Sequence, residues 1–294
     1  MEQISVEGSV GPRALEGRVA GPLWSDVCGW EDLALLCGEE DLAVGRAKLD
    51  LDRGWSGRWS ATWKVGKTKR TGPVAGLNTV SLTGCVPWRG FTWHTRQFHR
   101  PGLESMLSTG RQHAFESHRE DQFVVMADFT GEVEEMLSQP FLLNFEGEGG
   151  QREHIPDFLL LSGRGRWLVD VGPAGRMDDD DLMKFAASSE IALALGWGYA
   201  VVTGWRPLTW RNVDLLYSRR RPMNDPLGLK PLLLRTARAA AEPFSFGELA
   251  ASYEFPALAR PVLLHLLWHR QLGVDLAAPF GDSSVLRVAK ETVR

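Results

Sequence analysis

From residue 116 to residue 203 the chain alternates between helical and extended patterning, and a segment of that kind closes as helices layered on a sheet. Glu116 to Phe129 carries Phe123, Val124, Met126 and Ala127 at helical spacing, with charged residues before them. Pro140 to Phe145, His154 to Leu161 and Arg166 to Val171 read as strands. They are separated by the turn-forming runs Glu146-Gly-Glu-Gly-Gly150 and Ser162-Gly-Arg-Gly165. Asp178 to Leu195 reads as a helix whose acidic first turn suits the helix dipole. Tyr199 to Thr203 is a fourth strand. The expected order is helix, three strands in a meander, helix, strand, with the last strand reached through a helical crossover.

The flanks differ in texture. From Met1 to about Phe98 the chain is rich in Gly, Trp and Thr. Trp24, Trp30, Trp55, Trp59, Trp63, Trp88 and Trp93 all fall in this first third. Trp55 to Val65 reads as β-hairpin material, Trp30 to Leu36 as a short helix, and the tryptophans as core residues of a small domain. From Asn212 the chain is helical. Leu227 to Ala241, a short run from Phe246 and Phe255 to Arg270 predict three helices. Val274 to Leu276 and Val285 to Val288 predict a small hairpin, and together these make the plan of a winged helix. The expected domains are 1–86, 87–210 and 211–294.

Composition narrows the function. Hydrophobic residues at 44% and charged residues at 24% belong to a folded chain and exclude general disorder. No stretch is apolar enough to span a membrane. Met1 to Pro12 has no basic start followed by an apolar run, so no secretory signal is expected there. Three cysteines, Cys28, Cys37 and Cys85, make no disulfide framework and no metal-ligand pair, which points to the reducing cytoplasm. The net charge of −4 excludes nucleic-acid binding by bulk charge. Contacts to phosphate must come from local clusters: Lys64, Lys67, Lys69 and Arg70 beside Trp59 and Trp63, then Arg96 and Arg100, then Arg219, Arg220 and Arg221. The first cluster also reads as a solvated hairpin.

Three carboxylates carry the chemistry. Glu120 lies on the first helix, Asp157 follows 37 positions later after a proline, and Asp170 closes a strand 13 positions beyond that. Two carboxylates at neighbouring strand ends can converge on one hard cation, and a third from a packed helix can complete the site. Such an ion activates water for phosphodiester hydrolysis. The plainer reading of Asp170 is a salt bridge to Arg166 or Arg176. The acidic run Asp178 to Asp181 reads as a helix cap, and His154 and Gln139 as satisfied polar residues.

Pro156-Asp157 followed by Asp170-Val171-Gly172 resembles the PD-(D/E)XK nuclease motif with glycine at the lysine position. More narrowly, the chain is similar to the TnsA-like endonuclease subunit of heteromeric transposases. The similarity rests on Phe115-Glu-Ser-His-Arg-Glu120, Asp128-Phe129, Gln139-Pro-Phe141, His154-Ile-Pro-Asp-Phe158, Val169-Asp-Val-Gly-Pro173 and Gly196-Trp197. Leu267-Trp268, Leu272-Gly-Val-Asp-Leu276 and Pro279 extend it toward the C-terminus. The resemblance implies an α/β, restriction-endonuclease-like core between the β-leaning N-terminal region and a winged-helix-like end. It implies Mg²⁺, or Mn²⁺, held by Glu120, Asp157 and Asp170, and nicking at the 5′ ends of a transposon. The partners implied are double-stranded DNA at transposon ends, a DDE-type transposase and an AAA+ ATPase.

The departure from the motif is Gly172. The missing lysine orients water or stabilises charge, and losing such a group costs on the order of 10²–10⁴ in rate. Lys184, on the following helix, is the candidate substitute. The chain then either cuts with Lys184, cuts slowly, or binds without cutting. A non-catalytic scaffold and a stand-alone defence nuclease of the same superfamily are the other two readings.

Overall fold

The computed structural model describes residues 21–81, 84–90, 101–173, 175 and 177–290. Arg96 and Arg100, two of the expected phosphate contacts, lie outside the described residues. The protein is mixed α/β, and no helix among the described residues is long and apolar enough to cross a membrane. It divides into two compact units, each assembled from separated stretches. One takes residues 37–90 and 137–201, the other residues 21–36, 101–136 and 202–290, counted over the described chain.

In the first unit, the strand Ser60–Val65 sits inside a sheet. It pairs antiparallel with Thr68–Pro73 on one side and with Leu142–Gly147 on the other, and Leu142–Gly147 pairs in turn with Gly150–His154. Cys85–Val86 adds at its end. The tryptophan-rich hairpin therefore shares a sheet with the first strand expected of the middle zone, and the three-strand meander does not form. The stretch His154 to Leu161, expected as one strand, breaks into Gly150–His154 and Phe158–Ser162. Pro156 lies in the break, where it has no N–H to give a ladder. Trp55–Arg58 is a helical turn and not the start of the hairpin.

A second sheet in this unit is built on the hairpin of Phe158–Ser162 and Gly165–Val171, in register Phe158↔Val169 through Ser162↔Gly165. The helix Asp179–Leu195 follows and leads to Gly198–Trp205, which lies beside Gly165–Val171. The core between these layers holds Trp59, Phe141, Leu143, Phe145, Leu159, Leu168 and Ile191. The Trp59 and Phe145 rings lie 5.6 Å apart at 57°, so the tryptophans build one core with the middle zone. The helix Glu39–Arg46, unexpected in a β-leaning region, packs on Asp179–Leu195. Gly45 makes this approach feasible, since a Cβ there would stand 2.0 Å from the Leu182 carbonyl oxygen.

In the second unit, the helix His118–Thr130 follows an antiparallel hairpin of Gly102–Met106 and Arg111–Phe115 that the sequence patterning did not suggest. The expected helix over Trp30 to Leu36 stops at Leu33. Ala34–Leu36 is instead a strand, paired antiparallel with the distal half of Gly198–Trp205. The helices Thr209–Tyr217, Leu229–Ala239, Phe246–Ala251 and Pro256–Trp268 follow. A three-stranded sheet places Val285–Val288 between Phe244–Ser245 and Leu272–Val274. Val125, Met126, Phe129, Leu233, Leu249, Leu263, Leu266 and Trp268 lie in its apolar core.

Candidate functional site

The hairpin register places the two expected carboxylates together. One step beyond Phe158↔Val169, Asp157 stands opposite Asp170. The Asp157 N–H donates to Asp170 Oδ1 at 3.3 Å, and the Val171 N–H donates to Asp157 Oδ2 at 2.7 Å. Asp170 is wholly buried, at 0% exposure, while Asp157 is half-buried. Burial of a carboxylate is tolerable only with donors around it, and Asp170 has them. His154 Nε2 lies 2.9 Å from Oδ1, and the Tyr199 hydroxyl donates to Oδ2 at 2.7 Å. Burial, reinforced by the adjacent Asp170 charge and hydrogen bond, pushes the Tyr199 phenol well above the ordinary tyrosine range. Tyr199 therefore stays a neutral donor.

The remaining expected residues have other local duties. Glu120 lies in the first turn of its helix, and its N–H donates to the Ser117 Oγ cap at 3.2 Å. Its Oε2 accepts from the Glu116 N–H at 2.8 Å. The Ser117 side chain thus caps the helix, and the Glu120 carboxylate holds the backbone one residue before that cap. Lys184 pairs one turn back with Asp180, Nζ to Oδ2 at 2.5 Å. That contact and the neighbouring Arg152 hold the Asp180 carboxyl below its usual range. Asp178 accepts from the Asp180 and Asp181 N–H groups at 3.0 and 2.8 Å, so the acidic run is a cap.

Whether a divalent ion suits this pair turns on lone pairs. A carboxylate offers about four acceptor positions, and three at Asp170 are taken by His154, Tyr199 and the Asp157 N–H. Mg²⁺ keeps several waters when it binds carboxylates, and Asp170 presents no surface to them. Among the described residues no group of three or more His, Cys, Asp or Glu side chains is placed to hold a metal ion. Mg²⁺ or Mn²⁺ suits the half-exposed Asp157 but not Asp170 as it is hydrogen-bonded.

The cationic candidates differ in availability. Lys64 and Lys69 are directly opposed on the Ser60–Val65 and Thr68–Pro73 hairpin, and Arg70 faces Trp63. Lys67, Lys69 and Arg70 are exposed and Lys64 is half-exposed. The Lys64 and Lys69 ammonium groups lie 5.0 and 4.9 Å from the Trp88 ring centre. In the second unit, Arg219 and Arg221 are exposed, whereas Arg220 is committed. Its guanidinium stacks 3.6 Å over the Tyr217 ring and bonds Glu104 at 3.2 Å.

Two residues of this first unit were not singled out from the sequence, Tyr199 and the organising Trp88. A signal existed for Tyr199: a phenol in an otherwise apolar strand needs a hydrogen-bond partner when buried. Nothing in the residue pattern near Trp88 shows that it meets two lysines from another strand pair. Compared with protein-family models and with curated proteins, the sequence matches none.

Proposed function

We propose that the chain is a TnsA-like subunit of a heteromeric transposition complex that binds double-stranded DNA at transposon ends beside a DDE-type transposase and an AAA+ ATPase. In this reading the first unit is a restriction-endonuclease-like core. The four C-terminal elements Leu229–Ala239, Phe246–Ala251, Pro256–Trp268 and the sheet around Val285–Val288 form a winged helix. The observation that carries the reading is the Asp157–Asp170 opposition at the mouth of a hairpin followed by a helix and a further strand. That is the placement the Pro-Asp…Asp-x-Gly spacing calls for.

The core acts as a DNA-binding scaffold whose hydrolytic site is impaired. Gly172 supplies no ammonium group, Lys184 is held by Asp180, and Asp170 is satisfied by protein donors. The hydrolytic reading is the second one, favoured by the retention of both opposed carboxylates. It would use Asp157 and Asp170 with Mg²⁺ and Lys184 as the assisting cation.

One assay separates the two. Purified protein, with and without the transposase subunit, is incubated with duplex carrying the transposon end, in Mg²⁺ and in Mn²⁺. The scaffold reading expects a stable protein–DNA complex and intact strands. End-specific nicking of the 5′ strand that vanishes in Asp157→Ala would overturn it in favour of the nuclease.

A further inference from the structure

We infer that the hairpin Ser60–Val65 and Thr68–Pro73, together with Trp88, is a sequence-independent binding surface for the phosphate backbone of duplex DNA. The inference deepens the DNA-binding reading above and rests on it.

The first argument is charge. No Asp or Glu occurs between Asp52 and Glu104, although the whole chain carries a net charge of −4. Into that acid-free stretch the hairpin places Lys64 and Lys69 as direct cross-strand neighbours. Like charges directly opposite on a sheet are destabilising. Here they are held at Trp88, whose ring attracts both ammonium groups at 5.0 and 4.9 Å, while the Lys64 ammonium also donates to the Trp88 carbonyl. A like-charge pair fixed in place is a pre-organised counter-surface for anions, because a phosphate placed between the two relieves their repulsion.

The second argument concerns what such a surface reads. An exposed aromatic ring often stacks on a base, but the Trp88 π system is already engaged by two cations. Residues 60–73 contain no Asn, Gln, Asp or Glu, the side chains that pair with adenine or cytosine edges, so base readout there is limited to guanine contacts from Arg70 and the lysines and to short hydroxyl side chains. Lysine ammonium groups act as point charges on phosphate. Contacts of this type position a protein on DNA without carrying sequence information.

The third argument is rigidity. The Trp88 N–H donates to the Gln139 carbonyl at 2.9 Å, and the Arg89 N–H to Gln139 Oε1 at 3.1 Å. Gln139 is buried and holds a left-handed backbone, φ 47°. Non-glycine residues occupy that region only where surrounding contacts enforce it. Its own N–H donates to the Asp157 carbonyl at 2.7 Å. The cationic surface is thus anchored through a single residue to the loop that carries Asp157.

The test uses the full chain and fluorescence anisotropy on two duplexes of equal length, one carrying the transposon end and one scrambled. Affinity is measured across a salt series. Each phosphate contact contributes about 0.9 to the slope of log K against log salt. The double variant Lys64→Gln/Lys69→Gln is expected to lower the slope by about 2 on both duplexes alike, with a cooperative unfolding transition retained. Trp88→Leu is expected to give part of the same loss by releasing the two ammonium groups. An unchanged slope, or a loss confined to the transposon-end duplex, overturns the inference while leaving the DNA-binding reading intact. Absence of wild-type binding to either duplex removes both.

Discussion

Asp157 and Asp170 face each other across the hairpin mouth and are tied by two backbone donors, the Asp157 N–H to Asp170 Oδ1 at 3.3 Å and the Val171 N–H to Asp157 Oδ2 at 2.7 Å. Like-charged side chains in such proximity persist only when donors surround them. His154 and Tyr199 supply those donors on the Asp170 side. The pair is therefore a structural knot.

That knot has a measurable energy. Asp170→Ala leaves His154 and the buried Tyr199 hydroxyl without their acceptor, and breaking a buried charged network of this kind costs about 3–5 kcal/mol. Tyr199→Phe removes one donor and is expected to cost about 1–3 kcal/mol. Urea unfolding measures both. Mg²⁺ added to the wild type is expected to leave the unfolding midpoint where it is. A midpoint that rises with Mg²⁺ and stops rising in Asp170→Asn would identify Asp170 as a metal ligand instead.

Lys184→Ala is expected to change little. Its partner Asp180 is part-exposed and one helical turn away, and pairs of that kind contribute about 0.3–0.5 kcal/mol. Equilibrium unfolding should show a shift no larger than that, and DNA affinity should be unaltered. A strong loss of strand cleavage in this variant would contradict the scaffold reading directly.

The three consecutive arginines should behave differently from one another. Arg219→Ala and Arg221→Ala are expected to weaken duplex binding and lower its salt dependence, each by roughly one phosphate. Arg220→Ala is expected to act on stability, by about 1–2 kcal/mol, since its guanidinium serves Glu104 and the Tyr217 face. Equal effects of all three on DNA affinity would show that Arg220 leaves Glu104 when DNA binds.

Acid should loosen the C-terminal helices through a histidine pair. His265 Nδ1 donates to the Arg219 carbonyl at 2.8 Å and His269 Nε2 to the Arg220 carbonyl at 3.0 Å, with the two rings 4.2 Å apart. Burial lowers both below the ordinary histidine value. Lys230 depresses both further and His269 adds to the effect on His265, while the backbone bonds oppose it. Asp128 pulls His269 the other way. A histidine depressed in the folded state contributes stability that is complete above its unfolded value of 6.5 and is lost as pH falls through the folded value. Unfolding free energy should decline as pH drops below about 6.5, and less steeply in His265→Gln/His269→Gln. Parallel pH curves for wild type and variant would remove the assignment.

Thiol chemistry offers an independent check on packing. Burial pushes the Cys28 thiol up to about 12, and burial with the Asp41 carboxylate pushes Cys37 up to about 11. Cys28 should therefore alkylate only on unfolding, its rate tracking denaturant. Asp41→Asn should speed the labelling of Cys37. A Cys28 that reacts as fast as Cys85 in the native state would mean that the wall of the second unit around it opens.

Local chemistry accounts for much of what was legible beforehand. The Asp157–Asp170 pairing follows from a proline, a four-residue turn and a strand of matching length, all close in sequence. The Asp178 cap, the ends of the helices Asp179–Leu195 and Pro256–Trp268, and the small sheet near Val285 are equally local. A proline without an N–H splits His154 to Leu161 and sends the two halves into different sheets.

The amino-acid pattern alone thus determined the helices of the middle and C-terminal stretches, that helices and strands mix, and that two acids meet at one hairpin. Periodicity and turn chemistry act over a few residues, and they are written in neighbouring side chains. Only the tertiary structure decided that the tryptophan hairpin joins the sheet of Leu142–Gly147, that Tyr199 and His154 close around Asp170, and that Trp88 gathers two lysines. Those contacts join residues tens of positions apart, whose meeting depends on how whole layers pack to bury their apolar faces, and no local preference encodes that.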